Sequence, residues 1–308
     1  AYREHERAFQ GSWSRLEGAQ ISRIRAWTKR ELPKPRQTLF YFFSGPDYLY
    51  ANAFFPDATT YVMGGLEPVG RIPQATVGNL RGLAQLRRSL NSLMSYSFFQ
   101  TKHMRAELGG NVFAGTLPIL YIFLARAGKT VEETTLISLD EEGREVVAGG
   151  PGARPSVSGC KIVFTSGPDT PKRTIYYFQT DVSNRGASVD QLIAFSKALG
   201  TGDAFIKSAS YLLHHEGFSK VREFLLANAG TLLQDDSGIP LRHFKQADWD
   251  LKALGRYPGP IGLFSNHHQP NLAQLYRQQA PEPLPFGVGY RYRPRESSLL
   301  LATKKVSA

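Results

Sequence analysis

One block limits the folds open to this chain more than any other. Residues Leu39 to Gly70 read LFYFFSGPDYLYANAFFPDATTYVMGGLEPVG: two apolar runs of strand length flank a short helix-compatible segment, and each run leads through glycine to an acid. A short apolar run bounded by turn residues is the pattern of a buried strand. A second run reached through a helix is the pattern of a parallel neighbour, because parallel strands need a crossover connection. The block therefore predicts a β-α-β unit that puts Asp47 and Glu67 at the carboxyl ends of two strands, where open α/β sheets assemble their binding sites.

The rest of the chain supplies what such a unit needs on either side. Tyr2 to Leu32 carries Phe9, Trp13, Leu16, Ile24 and Trp27 at spacings that share one helical face, and Pro33 and Pro35 end the segment. An amphipathic helix docked on the body of the protein is predicted there, over residues 1–36. Leu80, Leu83, Leu86, Leu90, Leu93 and Met94 form a second helical stripe between Ala75 and Leu108, and Thr116 to Ala127 reads as a buried helix. Glu133 to Val147 alternates and turns at Glu142-Gly143, as a hairpin does. Pro151, Pro155 and neighbouring glycines mark a linker near 149–158. Lys161 to Thr165 and Thr174 to Thr180 read as strands, Val189 to Leu199, Ala204 to His215 and Phe218 to Ala229 as helices. Phe286 to Arg293 and Ser298 to Thr303, separated by Pro294, read as a closing antiparallel hairpin. The expected fold is α/β: a Rossmann-like sheet flanked by helices in a single domain over 37–308, with the N-terminal amphipathic helix and the C-terminal antiparallel hairpin.

Composition limits the functional classes. With 308 residues, 42% hydrophobic and 20% charged, the chain buries a full core and is neither disordered nor fibrous. Its longest apolar run, Leu117 to Ala125, is far below the roughly 20 residues that span a bilayer. The net charge of +11 favours an anionic partner such as an acidic small ligand. Cys160 stands alone and opens an apolar strand, so it reads as a buried structural thiol. The chain starts at Ala1 without a methionine, which points to export into the periplasm or medium after removal of a signal peptide, with the cytoplasm as the alternative.

Motifs for specific chemistry are sparse. Gly128-Lys129-Thr130 follows an apolar segment rather than a glycine-rich loop and reads as a helix end. No G-x-S-x-G elbow is present. His214-His215 and His267-His268 are imidazole pairs of the type zinc accepts, but adjacent residues of a helix point about 100° apart, so no metal is expected. Ser44-Gly45-Pro46-Asp47 recurs as Ser166-Gly167-Pro168-Asp169, which turn chemistry explains without duplication. Asp235-Asp236-Ser237-Gly238 directly follows an apolar run and so stands at a second strand end. The candidate ligand-binding residues are therefore Ser44, Gly45, Asp47, Asn52, Glu67, Asp235, Asp236 and Arg242, with catalytic residues left unassigned.

The Gly45 turn, Glu67 and the closing run Ser298 to Lys305 together resemble the fold of S-adenosylmethionine-dependent methyltransferases. In that family a glycine-rich turn follows the first strand, an acid after the second strand holds the cofactor ribose, and an antiparallel strand closes the sheet. The resemblance implies S-adenosylmethionine as a cofactor at Gly45 and Glu67, with an acid such as Asp235 near the acceptor. The first turn departs from the family, reading Ser44-Gly45-Pro46-Asp47-Tyr48 where two or three glycines are usual. The Leu39 to Gly70 block also resembles a family of uncharacterised exported bacterial proteins. Three functions follow as expectations: a binding or accessory protein with a crevice at the strand ends, a methyltransferase-like enzyme, and a polyanion binder using alternating Tyr290, Arg291, Tyr292 and Arg293. Nucleic acid ranks last among the partners.

Overall fold

The computed structural model describes residues 2–71, 115–150 and 157–305. Helix α1 (Tyr2–Leu16) continues through a π-helical turn (Glu17–Ile21) into α2 (Ser22–Glu31), making one rod. The wider turn carries the apolar stripe from Leu16 to Ile21, five residues on, so that Phe9, Trp13, Leu16, Ile21, Ile24 and Trp27 all enter one core. Trp27 meets Phe54 and Phe286 edge-on, with ring centroids 6.0 and 5.4 Å apart. The tryptophan face is thus spent on the protein itself.

Strand β1 (Thr38–Tyr41), helix α3 (Tyr48–Phe54) and strand β2 (Thr60–Gly65) form the expected β-α-β unit, with β1 and β2 parallel. Helix α4 (Leu117–Arg126) is the buried helix anticipated from LPILYIFLA, and it is only 10 residues long. Among the described residues no helix is long and apolar enough to cross a membrane. Strands β3 (Thr130–Leu139) and β4 (Glu145–Val147) form the anticipated hairpin, and β5 (Ser158–Thr165) pairs antiparallel with β6 (Arg173–Gln179). Helix α5 (Val189–Ala198), strand β7 (Gly202–Ile206), helix α6 (Ser219–Asn228), strand β8 (Ala229–Gln234), strand β9 (Trp249–Gly255), helix α7 (Pro270–Gln279) and strand β10 (Ser298–Lys304) complete the described elements. The leucine stripe of Ala75 to Leu108 lies outside the described residues, as does most of the 149–158 segment.

All ten strands join one mixed sheet in the order β4-β3-β5-β6-β2-β1-β7-β8-β10-β9. Five strands at its centre, β6-β2-β1-β7-β8, run parallel. The remaining five neighbour pairs are antiparallel, so the sheet is largely antiparallel rather than the parallel sheet expected. Helices cover both faces. Leu39 and Tyr41 point into the core shared with α2, α3 and α4, whereas Phe40 and Phe42 point into the core shared with α5 and α6, as the two-residue period of a strand requires.

Two expected elements are replaced. Ala204 to His215 is not a helix: Ala204 to Ile206 belongs to β7, which pairs with β1 and β8 and is buried along its whole length. A three-residue apolar run fits either period, and burial between two parallel strands decides it. The closing hairpin is also absent. Strand β10 inserts between β8 and β9 instead of pairing with Phe286 to Arg293. Ser298 to Ala302 are all buried, a state that suits a strand with neighbours on both edges. Residues 286–293 fold as a turn in which Ser297 Oγ accepts from Val288 N and donates to Arg291 O.

Candidate functional site

The carboxyl ends of β1, β2, β7 and β8 lie side by side, and most of the predicted residues gather there. At the end of β1, Gly45 takes a left-handed φ of +53° that favours glycine. Its turn spends its own donors internally. Ser44 N and Gly45 N both donate to Gly64 O, Asp47 N to Ser44 O and Tyr48 N to Pro46 O, while Pro46 has no amide hydrogen. The Glu67 side chain folds back from β2 against this turn: a Cβ placed on Gly65 would lie 2.4 Å from Glu67 Oε2, and one on Gly45 3.5 Å from it. Gly65 is therefore the glycine that lets the acid approach, and Glu67 is itself buried.

Asp47 caps α3, accepting from Tyr50 N at 3.1 Å, and also accepts from Tyr41 OH at 2.9 Å. Its third partner is Lys207, directly after β7, with Nζ 2.9 Å from Oδ2 and both side chains 2% exposed. Lys207 Nζ also sits 4.4 Å from the centre of the Tyr50 ring. Burial pushes the Asp47 carboxyl above its ordinary range, and the Lys207 charge pulls it back. This buried pair joins the first strand to the fourth parallel one across the middle of the sheet.

Past Lys207 the backbone becomes unusual. Ser208, Ser210 and Tyr211 have φ of 53°, 51° and 56°, the left-handed region that non-glycine residues enter at a cost of about 1–2 kcal/mol each. Each is held by a neighbour. Asp235 accepts from Ser208 N at 2.8 Å and from Ser237 N at 3.0 Å. Ser237 Oγ accepts from Ala209 N at 2.8 Å, and Tyr290 OH accepts from Ser210 N at 3.0 Å while donating to Ser208 O at 3.0 Å. Tyr211 OH donates to Asp236 Oδ2 at 2.6 Å. Residues with this backbone cluster at functional sites, where surrounding contacts hold the strain.

The side chains around this loop have altered acidities. Burial, reinforced by the adjacent Asp235 charge, lifts the Asp236 carboxyl to about 7. Burial raises Asp235 as well, against the hydrogen bonds from Ser237 and Ser208. His214 drops to about 4, first through burial and then through the neighbouring His267, so its imidazole is neutral at physiological pH. The Tyr211 ring stacks on His267 at 4.8 Å and lies 5.1 Å from His214. Phe264 and Tyr290 extend the aromatic wall. Two polar atoms of this region, Ser208 Oγ and His214 Nε2, are buried and have no hydrogen-bond partner among the described residues.

The predicted set thus divides. Asp47 pairs with Lys207, whose charge also reaches Asp235, Asp236 follows Asp235 in the turn after β8, and Ser44, Gly45 and Glu67 form the adjoining turn. Asn52 belongs to α3, is buried, and accepts from Tyr48 OH at 3.2 Å, away from the Lys207 to Tyr211 loop in sequence and in its recorded partner. Arg242 is exposed and reaches the rim by donating to His214 O at 3.2 Å. Lys207, Ser208 and Tyr211 fall within Ala204 to His215, whose apolar content predicts a helix, and Tyr41 reads from the sequence only as an apolar residue of β1. The signal available was an apolar run breaking into Lys-Ser-Ala-Ser, small polar residues of the kind that end strands. Among the described residues no three His, Cys, Asp or Glu side chains are placed to hold a metal. The alternating Tyr-Arg strand proposed for polyanions is not a strand, and Arg291 donates to the carbonyls of Gly259 and Pro260. Comparison with known proteins adds no assignment: no family model, no curated protein and no solved structure matches this chain.

Proposed function

We propose that this protein is an exported binding or accessory protein that takes a small polar molecule at the carboxyl ends of β7 and β8, between the Lys207 to Tyr211 loop and the Asp235 to Gly238 turn. One observation carries the reading: Ser208 Oγ and His214 Nε2 lie buried without a partner beside a loop that holds three residues in left-handed backbone. Each buried polar group left unpaired costs about 1–3 kcal/mol. A ligand that satisfies both atoms recovers that cost on binding.

The methyltransferase-like reading is kept second, and one specific observation favours it. Counted among themselves, the central parallel strands run third, second, first, fourth, fifth, the order of doubly wound nucleotide-binding sheets, whose ligands sit where the order reverses. Glu67 folded over Gly45 lies on that side. The turn itself fits S-adenosylmethionine poorly, since its amide hydrogens are already bonded within the protein and Pro46 supplies none.

A thermal-unfolding midpoint with and without millimolar S-adenosylmethionine separates the two. A ligand at about 100 times its Kd adds roughly 2.7 kcal/mol. At about 2.1 cal/mol/K of unfolding entropy per residue this corresponds to a rise of about 4 °C for a chain of this size. A rise that disappears in Glu67→Gln supports the enzyme. No rise removes it and leaves the β7–β8 crevice, whose occupant is then sought by native mass spectrometry of protein purified without denaturant.

A further inference from the structure

We infer that the outer edge of β9 is a docking edge for β9 of a second copy of this chain, and that the side chain of Gln279 is the latch that keeps it closed in the single molecule. The edge is independent of the β7–β8 crevice and of whatever that crevice binds.

Strand β9 ends the sheet, with no further strand beside it among the described residues. In an antiparallel pair alternate residues turn both N–H and C=O to the partner, so every second residue of an outermost strand faces away from the sheet. Asp250 and Lys252 turn theirs to β10, while Trp249, Leu251 and Ala253 turn theirs outward. An unpaired row of this kind is a template for another strand. Gln279, the last residue of α7, occupies it: Oε1 accepts from Ala253 N at 2.7 Å and Nε2 donates to Leu251 O at 2.9 Å. Those are the two bonds that one residue of a parallel neighbour makes, so the carboxamide stands in for a single peptide of a further strand. The chain behind it is shaped to hold it there. Ala280 takes a left-handed φ of 43° that ends α7, with its N donating to Tyr276 O, and Pro281 cannot continue the helix. Neither Pro281 nor Pro283 has an amide hydrogen to pair with. Leu284 then packs against Gly255 at the end of β9, where an added Cβ would lie 2.8 Å from its Cγ.

The order of charges along β9 fits a copy of itself. Most homo-oligomers are two-fold dimers in which one patch meets the same patch. A two-fold through Leu251 sets Leu251 opposite its own copy and Trp249 opposite Ala253, and it sets Asp250 opposite Lys252 on both sides of the axis. Opposite charges facing each other on antiparallel strands stabilise the pairing, and like charges oppose it. A two-fold through Ala253 sets Lys252 against Leu254, and one through Lys252 sets it against itself, so the charges select the first register. Asp250 and Lys252 are exposed, and their present partners, Lys305 at 3.6 Å and Glu31 at 2.9 Å, form surface pairs of small worth. Gln279 is exposed as well, so the latch is reached from solvent. Pairing breaks its two bonds in each copy; at roughly fivefold per bond the latch weakens association by about 500-fold.

Sedimentation velocity of the full chain across the micromolar range tests this. Gln279→Ala is expected to double the mass of the natural species, with self-association tightened by about 500-fold. Adding Lys252→Asp, which sets acid against acid across the axis, is expected to undo the doubling. Adding Asp250→Lys to that pair of changes is expected to restore it, because opposite charges again face each other. Three results overturn the inference: an unchanged mass in Gln279→Ala, a doubled mass indifferent to both charge changes, or a natural chain whose own mass falls with Lys252→Asp and whose edge is therefore already open. Should the alanine variant fail to fold, Gln279→Glu is read in the same way. It keeps the acceptor for Ala253 N and removes the donor to Leu251 O, so a smaller tightening with the same dependence on residues 250 and 252 is expected, and no tightening overturns the latch.

Discussion

Replacing Lys207 by methionine tests whether the charge pair at the centre of the sheet is what holds the candidate site together. Methionine keeps most of the side-chain volume, so the perturbation is electrostatic. The variant leaves Asp47 buried with two of its three partners, Tyr41 OH and Tyr50 N, and removes the cation from the Tyr50 ring. Removing one member of a buried ion pair costs about 3–5 kcal/mol, because the survivor keeps its desolvation penalty. At about 2.1 cal/mol/K of unfolding entropy per residue, that is a fall of roughly 5–8 °C in the midpoint.

The cost must depend on pH in a defined direction. Asp47 already has its folded pKa raised by burial, with Lys207 opposing the rise. Without Lys207 the folded pKa climbs further above the unfolded value. A carboxyl with a raised folded pKa binds its proton more readily in the folded state, so its contribution is full below the unfolded pKa and is lost as pH rises towards the folded one. Urea unfolding of the variant and the natural protein from pH 4 to 8 should therefore show a penalty that is small in acid and grows with pH. A penalty below about 1 kcal/mol at neutral pH, or one independent of pH, refutes the electrostatic account.

Three further outcomes are expected. Ser208→Gly should stabilise the protein by about 1 kcal/mol in urea unfolding, because glycine enters φ of 53° without strain and the lost hydroxyl has no described partner; the same variant should weaken whatever ligand the crevice holds. Asp236 has a folded pKa of about 7 against an ordinary 3.8, so the natural protein should lose stability between those pH values, by a few kcal/mol at most, and Asp236→Asn should flatten that part of the profile. Cys160 is buried and its thiol is pushed up to about 12, so a thiol reagent should label it only as the protein unfolds, and labelling at the rate of an exposed thiol would contradict its burial.

The elements legible in the sequence are those whose pattern is local. The β1-α3-β2 unit, the N-terminal rod, α4, the β3–β4 hairpin and α5 each carry their own period and turn residues within a dozen or so positions. What was hidden depends on partners far along the chain. The short apolar run at the start of β7 is a strand because β1 and β8 flank it, and β10 leaves its neighbour 286–293 because β8 and β9, at sequence separations of tens of residues, offer it two edges. The site divides in the same way. Asp47, Glu67, Asp235 and Asp236 could be placed by the rule that acids after apolar runs stand at strand ends. Lys207 and Tyr211 could not, since their importance comes from β7 lying beside β1 and β8 in space.

The loop after β7 is difficult to explain by stability alone. Three non-glycine residues in left-handed backbone, two buried polar atoms without described partners and a carboxyl lifted to about 7 all work against folding. All of this is concentrated within the few residues after β7 and the turn after β8. Glycine at 208 or 210 would relieve the strain at once, and the chain uses glycine freely where left-handed backbone is needed, at Gly45, Gly143 and Gly289 among others. Serine and tyrosine in its place bring hydroxyls: one on Asp236, one on Tyr290, one left over. Local choices that oppose the fold are expected where a side chain serves a ligand. The same test applied to the first turn gives the opposite answer, because its donors are paired and its left-handed position is a glycine. The left-handed backbone and the unpaired polar groups on which the proposed site rests are therefore concentrated after β7 and β8, one strand beyond the turn where the sequence pattern first pointed.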